Sequence, residues 1–369
     1  MIIGVPRERK EGECRVALTP DGAAVLHSRG HRVLIEHNAG KLSGFSDREY
    51  QDSGAEIIGT LEEVWGQAEL LVKVKEPAPE ELSLFRRGLA VFSFLHPAVA
   101  PEMMKAMLQS EVTGIDYDLV MLDDQRLPIL EPMSVIAGKL SIQCGAYALQ
   151  STNGGRGVLL GGAVGVRPAR VVVIGAGAAG SSAAQVAIGM GADVVVMDIN
   201  SDKLQPFSKG ALRAITVQSS PVSLEREIRA ADLVIGAVLI PGALAPKLLS
   251  RKMLGGMKAG SVIVDICIDQ GGMAESSRPT TISQPTYVDS GVVHYCVPNM
   301  PALVPRTSTI ALTNATLRWI VALSEKGILA GVSSLPPLRR SVVSYKGRLT
   351  NRAIGDALSL PVVDFATIA

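Results

Sequence analysis

The sequence predicts an α/β protein of two mostly parallel-sheet domains, on three observations. Short β-type runs alternate with helical ones from the first residue to about residue 120. A second alternation of the same kind begins near Ala169, after a long helical stretch and a glycine-dense segment. A chain of 369 residues is also about two domains' worth, at roughly 100–200 residues each. Strand–helix–strand alternation implies parallel strands with helices on the sheet faces.

In the first round, MIIGV, HRVLIEH, AEII, ELLVKVK, AVFSFLH and TGIDYD are short runs rich in branched apolar residues, as buried strands should be. Between them lie the helical stretches TPDGAAVLHSRG, SDREYQDSG, TLEEVWGQA and PEMMKAMLQSE. The first of these has Thr19 as N-cap, Pro20 at its first helical position and Gly30 at its close. A long helix is predicted from Pro132 to about Gln150, with Ser134 near its start. It leads into TNGGRGVLLGGAVGVRPA, which reads as a loop and an inter-domain joint.

The second round runs through ARVVVIG, a helix from about Ala178, ADVVVMD, a helix, AITV, the helix SLEREIRAA, DLVIGAV, another helix and SVIVDIC. RTSTIALTNATLRWIVALSEKG then reads as a long helix. The tail carries turn signals at Pro336–Pro337 and Gly347 and a short helix, TNRAIGDALSL. Returning that tail to the first domain gives domains of 1–129 plus 306–369, and 130–305.

Composition excludes several function classes. The chain is 47% hydrophobic and 19% charged, which is globular and not disordered. Its 36 Lys and Arg against 35 Asp and Glu leave a net charge of +1, without the basic excess that nucleic acid or an anionic membrane surface requires. Aromatics at 4% argue against single-strand stacking platforms. Cys14, Cys144, Cys267 and Cys296 are scattered without a CxxC pair, which predicts reduced thiols, no disulfide framework and no metal site. MIIGVPRERK lacks the apolar core of a signal peptide, and Leu233 to Pro246 is too short to span a bilayer. The expectation is a cytoplasmic protein.

The strongest local signal is ARVVVIGAGAAG, residues 169–180, which puts Gly175, Gly177 and Gly180 in GxGxxG spacing between a buried strand and a helix. Gly175 permits the tight turn, Gly177 lets the backbone approach a pyrophosphate, and Gly180 allows close helix–strand packing. The helix N-terminus offers N–H groups and a positive dipole end to the pyrophosphate. Asp198 ends the next strand, where an acid accepts from both ribose hydroxyls and repels a 2′-phosphate. The motif therefore predicts a Rossmann-like domain that takes NAD rather than NADP.

The first domain carries a second set of candidates. Lys75 ends ELLVKVK and His96 ends AVFSFLH, each just before a proline-containing turn, and Arg15 follows the charged loop RERKEGEC. Residues at the carboxyl ends of parallel strands face the crevice where such sheets bind ligands. In the second domain, SVIVDICIDQGG brings Asp269 to the end of a strand, while Asp265 inside the apolar run reads as a packing or hydrogen-bonding residue. Taken singly, these are ordinary surface charges, a turn aspartate and a satisfied histidine.

Together with MIIGVPRERKEGECRVALTP, LLVKVKEP, FSFLHPA, EPMSVIAGKL, NGGRGVLLGG, VVVIGAGAAG, MDIN, ADLVIGAVLIPG, VDICIDQGG, SRPTT and VPNMPALVPRTST, they make the chain resemble the alanine dehydrogenase family. The match runs in order from Met1 to about Gly327 and is looser beyond.

The resemblance implies two Rossmann-like domains with a cleft between them, usually assembled as a homohexamer of use in amino-acid catabolism. It implies reversible oxidative deamination of L-alanine to pyruvate and ammonium, with hydride transfer to NAD. Arg15 and Lys75 match the family's binders of substrate carboxylate and carbonyl, His96 its acid/base, and Asp269 its second catalytic residue. Ser134, Asp198, Lys203, Ser219, Arg278 and Asn299 match positions that contact NAD. So do the backbones at Ala178–Ala179, Val238–Leu239, Ile266–Asp269 and Val297–Met300.

Pro298 stands where the family usually has a small residue, and Pro97 follows the histidine where other residues are common; both stiffen the backbone. The related NAD-binding subunit of proton-translocating transhydrogenase resembles the chain over the same length but does not keep the histidine. A dehydrogenase for glycine, serine or a larger amino acid would share the same motifs, since pocket residues set side-chain preference. A dinucleotide sensor without turnover would not require Arg15, Lys75, His96 and Asp269 together.

Overall fold

The computed structural model describes residues 1–209, 214–238 and 244–369. The chain divides into two compact units: Met1–Met133 with Ala302–Ala369 (unit 1), and Ser134–Pro301 (unit 2).

Unit 1 is built on the strands β1 (Ile2–Val5), β2 (Arg32–Glu36), β3 (Glu56–Ile58), β4 (Leu70–Val72), β5 (Ala90–Ser93) and β6 (Thr113–Asp116). Unit 2 supplies β7 (Arg170–Ile174), β8 (Asp193–Asp198), β9 (Ile215–Gln218), β10 (Leu233–Gly236), β11 (Val262–Asp265), β12 (Thr286–Asp289) and β13 (Val292–Tyr295). The tail returns to unit 1 with β14 (Val342–Tyr345) and β15 (Arg348–Leu349).

The sheet of unit 1 runs β15-β14-β6-β5-β4-β1-β2-β3. From β6 to β3 every pairing is parallel. The chain winds outward from β1 through β2 and β3, then returns to the other side of β1 with β4. That reversal makes a switch point between β1 and β4, where the loops after the two strands part and leave room for a ligand. Val64, Trp65, Leu71, Val91, Met104 and Val343 form part of the core on one sheet face.

The tail helix Pro305–Lys326 belongs to this unit for a specific reason. Its Thr309 and Thr313 hydroxyls accept the Val16 and Thr19 backbone N–H groups, each at 3.1 Å. It therefore fixes the loop that carries Arg15. Thr19 in turn caps the helix Pro20–Ser28 by accepting from the Gly22 N–H at 3.2 Å.

Among the described residues, unit 2 has a seven-stranded sheet in the order β12-β13-β11-β10-β7-β8-β9. The switch point lies between β7 and β10. The long helix runs Leu130–Ala148 rather than from Pro132, with Pro132 in its first turn, where no intrahelical N–H bond is lost.

The α/β class is as the sequence predicts, but neither sheet is wholly parallel. Two edge hairpins that the alternation did not register, β12–β13 and β14–β15, are antiparallel, as is the β14–β6 pairing. Each hairpin turns through two residues with positive φ: Ser290 and Gly291 at 54° and 76°, Lys346 and Gly347 at 47° and 72°. These are the dihedrals that match a tight hairpin to strand twist.

Candidate functional site

In unit 1 the chemistry collects in the loops beyond the carboxyl ends of β1, β4, β5 and β6. The predicted strands were too long: β4 ends at Val72 and β5 at Ser93, so Lys75 and His96 stand three residues past them. Buried Val74, Phe94 and Leu95 continue the apolar pattern into the loops and account for the difference.

Arg15 is 2% exposed. Its Nε and Nη2 each donate at 2.6 Å to the two oxygens of buried Glu13, a bidentate pair that fixes the guanidinium plane. Its Nη1 points to the Met133 sulfur at 3.2 Å.

Lys75 is held through its backbone. Glu8 accepts from the Val74 N–H at 2.6 Å and from the Lys75 N–H at 3.4 Å. The same carboxylate meets the wholly buried Lys73 ammonium at 3.3 Å, and Glu81 meets it from another side at 3.1 Å. Burial pushes the Glu8 carboxyl above its ordinary range, with Lys73 pulling the other way. Burial works against the Lys73 charge, yet Glu8 and Glu81 outweigh it and raise that pKa.

His96 has φ 45° and ψ 48°, a left-handed conformation directly before Pro97. A non-glycine residue holds it only when its surroundings determine it. The ring stacks on Phe94 with centroids 6.1 Å apart and planes at 17°. Its Nδ1 lies 3.1 Å from Glu76 Oε2 and its Nε2 3.3 Å from Asp118 Oδ2. Burial disfavours the charged ring, but the Glu76 hydrogen bond and the Asp118 and Asp116 carboxylates prevail over it and over Lys75, so the His96 pKa is raised. Asp116, buried behind, is itself pushed up by desolvation and then by Asp118.

Unit 2 presents its candidates beyond the carboxyl ends of β7, β8, β10, β11 and β13. Gly175 has φ 99°, and a Cβ on Gly180 would overlap the Gly175 carbonyl oxygen, so the loop and the helix Ala178–Gly189 meet backbone to backbone. A Cβ on Gly177 would meet nothing within 4 Å, which leaves the helix N-terminus approachable. Asp198 is buried; it accepts from the Ala176 N–H at 2.7 Å and the Asn200 N–H at 2.8 Å. Each carboxylate oxygen has a second lone pair, so capacity for ribose hydroxyls remains. These features fit a dinucleotide.

The remaining positions scatter around that loop. Ser134 lies near the start of the long helix, and Gly138 packs against the Ala179 backbone one turn further on. Lys203 lies in the turn Ser201–Leu204, and the Ser219 N–H donates to the Asp198 carbonyl at 2.9 Å. The Val238 N–H donates to the Cys267 sulfur at 3.1 Å; Leu239 falls outside the described residues. The Arg278 guanidinium sits 4.1 Å over the Tyr287 ring.

Asp269 does not end a strand, as predicted: β11 stops at Asp265, and Asp269 lies in the 3₁₀ turn Ile266–Gln270. Asp265 caps that turn, accepting from Cys267 N–H, Met273 N–H and the Ser277 hydroxyl, in keeping with its expected hydrogen-bonding role. Asp269 Oδ2 accepts from the Asn299 N–H at 3.1 Å, and Asn299 has φ 58° between Pro298 and Met300. Val297 and Met300 are buried.

Sequence reading missed Glu8, Glu13, Lys73, Glu76 and Asp118. Their only signal was charge, in RERKEGEC, KVKEP and TGIDYD, on segments otherwise read as loop or strand.

Two family models match the chain: "Alanine dehydrogenase/PNT, N-terminal domain" over residues 4–137 and "Alanine dehydrogenase/PNT, C-terminal domain" over residues 141–352. The chain is 48% identical over 367 residues to the alanine dehydrogenase of Mycolicibacterium smegmatis, covering 99% of each. It is 46% identical to that of Halomonas elongata over 371 residues, covering 100% of each. A solved structure of an L-alanine dehydrogenase superimposes with TM-score 0.93 at 42% identity, covering 97% of this chain and 99% of that one. A transhydrogenase from Sinorhizobium meliloti superimposes with TM-score 0.81 at 25% identity, covering 96% and 100%.

Proposed function

This chain belongs to the alanine dehydrogenase/PNT family, and from that premise we propose that it is an NAD-dependent L-alanine dehydrogenase. L-alanine, NAD⁺ and water give pyruvate, ammonium, NADH and a proton, reversibly. The observation that carries the reading is the grouping of Arg15, Lys75 and His96 on the loops after β1, β4 and β5, at a sheet switch point.

Unit 1 is the substrate and catalytic domain, and unit 2 the NAD-binding domain. NAD, when bound, supplies the hydride acceptor; the glycine loop and Asp198 are the residues that hold it. Arg15, its plane set by Glu13, and Lys75 bind the carboxylate and carbonyl oxygens, so that a small substrate is oriented by charge-assisted bonds. His96 takes a proton from the water that adds to the iminium carbon, returns it to the carbinolamine nitrogen, and then takes the hydroxyl proton as ammonia leaves and the carbonyl forms. Asp269 stabilises positive charge developing on nitrogen. Ser134, Lys203, Ser219, Arg278 and Asn299, with the backbones at Ala178–Ala179, Val238–Leu239, Ile266–Asp269 and Val297–Met300, are the further NAD contacts. The family resemblance supports a cytoplasmic homohexamer serving amino-acid catabolism.

The deciding experiment follows NADH absorbance with NAD and L-alanine, with glycine, L-serine and NADP as parallel arms. Turnover with alanine and NAD far above every other arm is the expected result. NAD binding without turnover on any amino acid would overturn the reading in favour of a transhydrogenase-like or sensing role. Gly180→Ala, whose methyl would strike the Gly175 carbonyl, is expected to weaken NADH binding at least ~10-fold, in line with ~1–3 kcal/mol for overpacking. Calorimetric titration with NADH checks it, and an unchanged affinity would count against the glycine loop as the pyrophosphate site.

A further inference from the structure

We propose that Glu76 is a positioning residue for His96: it holds the ring's Nδ1–H, so that Nε2 is the atom that exchanges a proton with substrate. The proposal rests on the reading of His96 as the acid/base and assigns the geometry that makes it one.

A neutral imidazole carries a single N–H and can donate to one carboxylate only; donating to two requires the imidazolium. His96 faces carboxylates on both ring nitrogens, so only the imidazolium satisfies both, and losing a proton from Nδ1 or from Nε2 would give different bases. The two partners are unequal. Glu76 Oε2 lies at 3.1 Å, while its other oxygen accepts from the Lys10 ammonium at 2.5 Å, so this carboxylate is anchored on both sides. Asp118 is further from the ring, at 3.3 Å, and the somewhat more exposed of the two. The Nε2 contact is therefore the one that yields to substrate, while Glu76 keeps Nδ1–H and sets the tautomer.

The other charges around the ring act in the same direction or are outweighed. Asp116 and Asp118 favour the imidazolium, and Lys75 opposes it. Burial works against the Glu76 charge, but His96 and Lys10 hold its carboxyl well below the ordinary range, so it remains an acceptor throughout. Phe94 under the ring face and the left-handed backbone before Pro97 leave the imidazole little freedom to turn. A histidine whose plane and one nitrogen are fixed presents the other nitrogen in a single direction, which is what proton transfer to a bound small molecule demands.

The test is nitrogen-15 NMR of the five histidines in the intact enzyme, with the His96 signals assigned by their loss in His96→Gln. In the unmodified protein His96 should titrate above 6.5, the ordinary histidine value, and its neutral form should carry the proton on Nδ1. Glu76→Gln, which keeps shape and an acceptor but removes charge, should lower the midpoint by about 1 pH unit or more. The acid limb of kcat/KM for alanine oxidation should move with it. Glu76→Ala should also let the Nε2–H tautomer appear, and Glu76→Asp should restore part of the shift. An unchanged midpoint in both Glu76→Gln and Glu76→Ala would overturn the proposal and leave Glu76 as the partner of Lys10 alone. The spectroscopic readout does not depend on turnover. Activity surviving in His96→Ala would defeat the reading of His96 as the acid/base, while the titration would still decide whether Glu76 holds the ring.

Discussion

Replacing His96 with alanine is expected to lower turnover of L-alanine with NAD by at least ~100-fold, the usual scale of assistance by a positioned acid or base. His96 keeps a left-handed backbone before Pro97, its ring lies along Phe94, and both nitrogens meet carboxylates. A side chain so constrained, with a pKa raised above the ordinary histidine value, is charged in the free enzyme at mildly acidic pH and becomes a base as pH rises through its raised pKa. Alanine oxidation needs the base form, so its kcat/KM should climb across the same interval. Steady-state rates of His96→Ala between pH 6 and 10, alongside calorimetry showing NADH still bound, would check it. Near-normal turnover in a protein that binds NADH would remove His96 from the mechanism.

The second large effect concerns stability. Lys73→Met is expected to destabilise unit 1 by ~3–5 kcal/mol, the range seen when one partner of a buried ion pair is removed and the other charge is left uncompensated. Lys73, Glu8 and Glu81 have side chains 0–2% exposed, and the ammonium is the cation between the two carboxylates. Methionine matches its length, so packing is nearly conserved and the loss is electrostatic. Denaturant unfolding followed by fluorescence would measure it, and Lys73→Met combined with Glu81→Gln should recover part of the loss by removing one stranded charge. A change under ~1 kcal/mol would mean that the carboxylates simply take up protons. Because Glu8 also holds the Val74 and Lys75 N–H groups, KM for alanine should rise in the same variant.

Much of the nucleotide half was legible because its requirements are local. Gly175, Gly177 and Gly180 are needed by a turn and a helix contact a few residues apart, and Asp198 ends the very next strand. The strand ends at Lys75, His96 and Asp269 were misplaced because hydrophobic pattern reports burial, not pairing. Val74, Phe94, Leu95, Cys267 and Ile268 are all buried yet lie in loops or turns. The edge hairpins had a readable signal after all, Ser290–Gly291 and Lys346–Gly347 between β-type runs, which the helix-strand alternation overshadowed.

By itself the sequence determined the α/β class, the glycine turn between β7 and its helix, the family and the identity of the residues proposed for the chemistry, because each follows from neighbours in the chain or from ordered motifs. The tertiary structure alone decided which charges meet. Glu8 meets Lys73 and Lys10 meets Glu76 because β1 lies beside β4, Glu76 meets His96 because β4 lies beside β5, and His96 meets Asp118 because β5 lies beside β6. Lys10 and Glu76 are 66 residues apart in sequence and 2.5 Å apart in space. Electrostatics acts through distance and burial, and neither is set until the sheet has brought its loops to one edge.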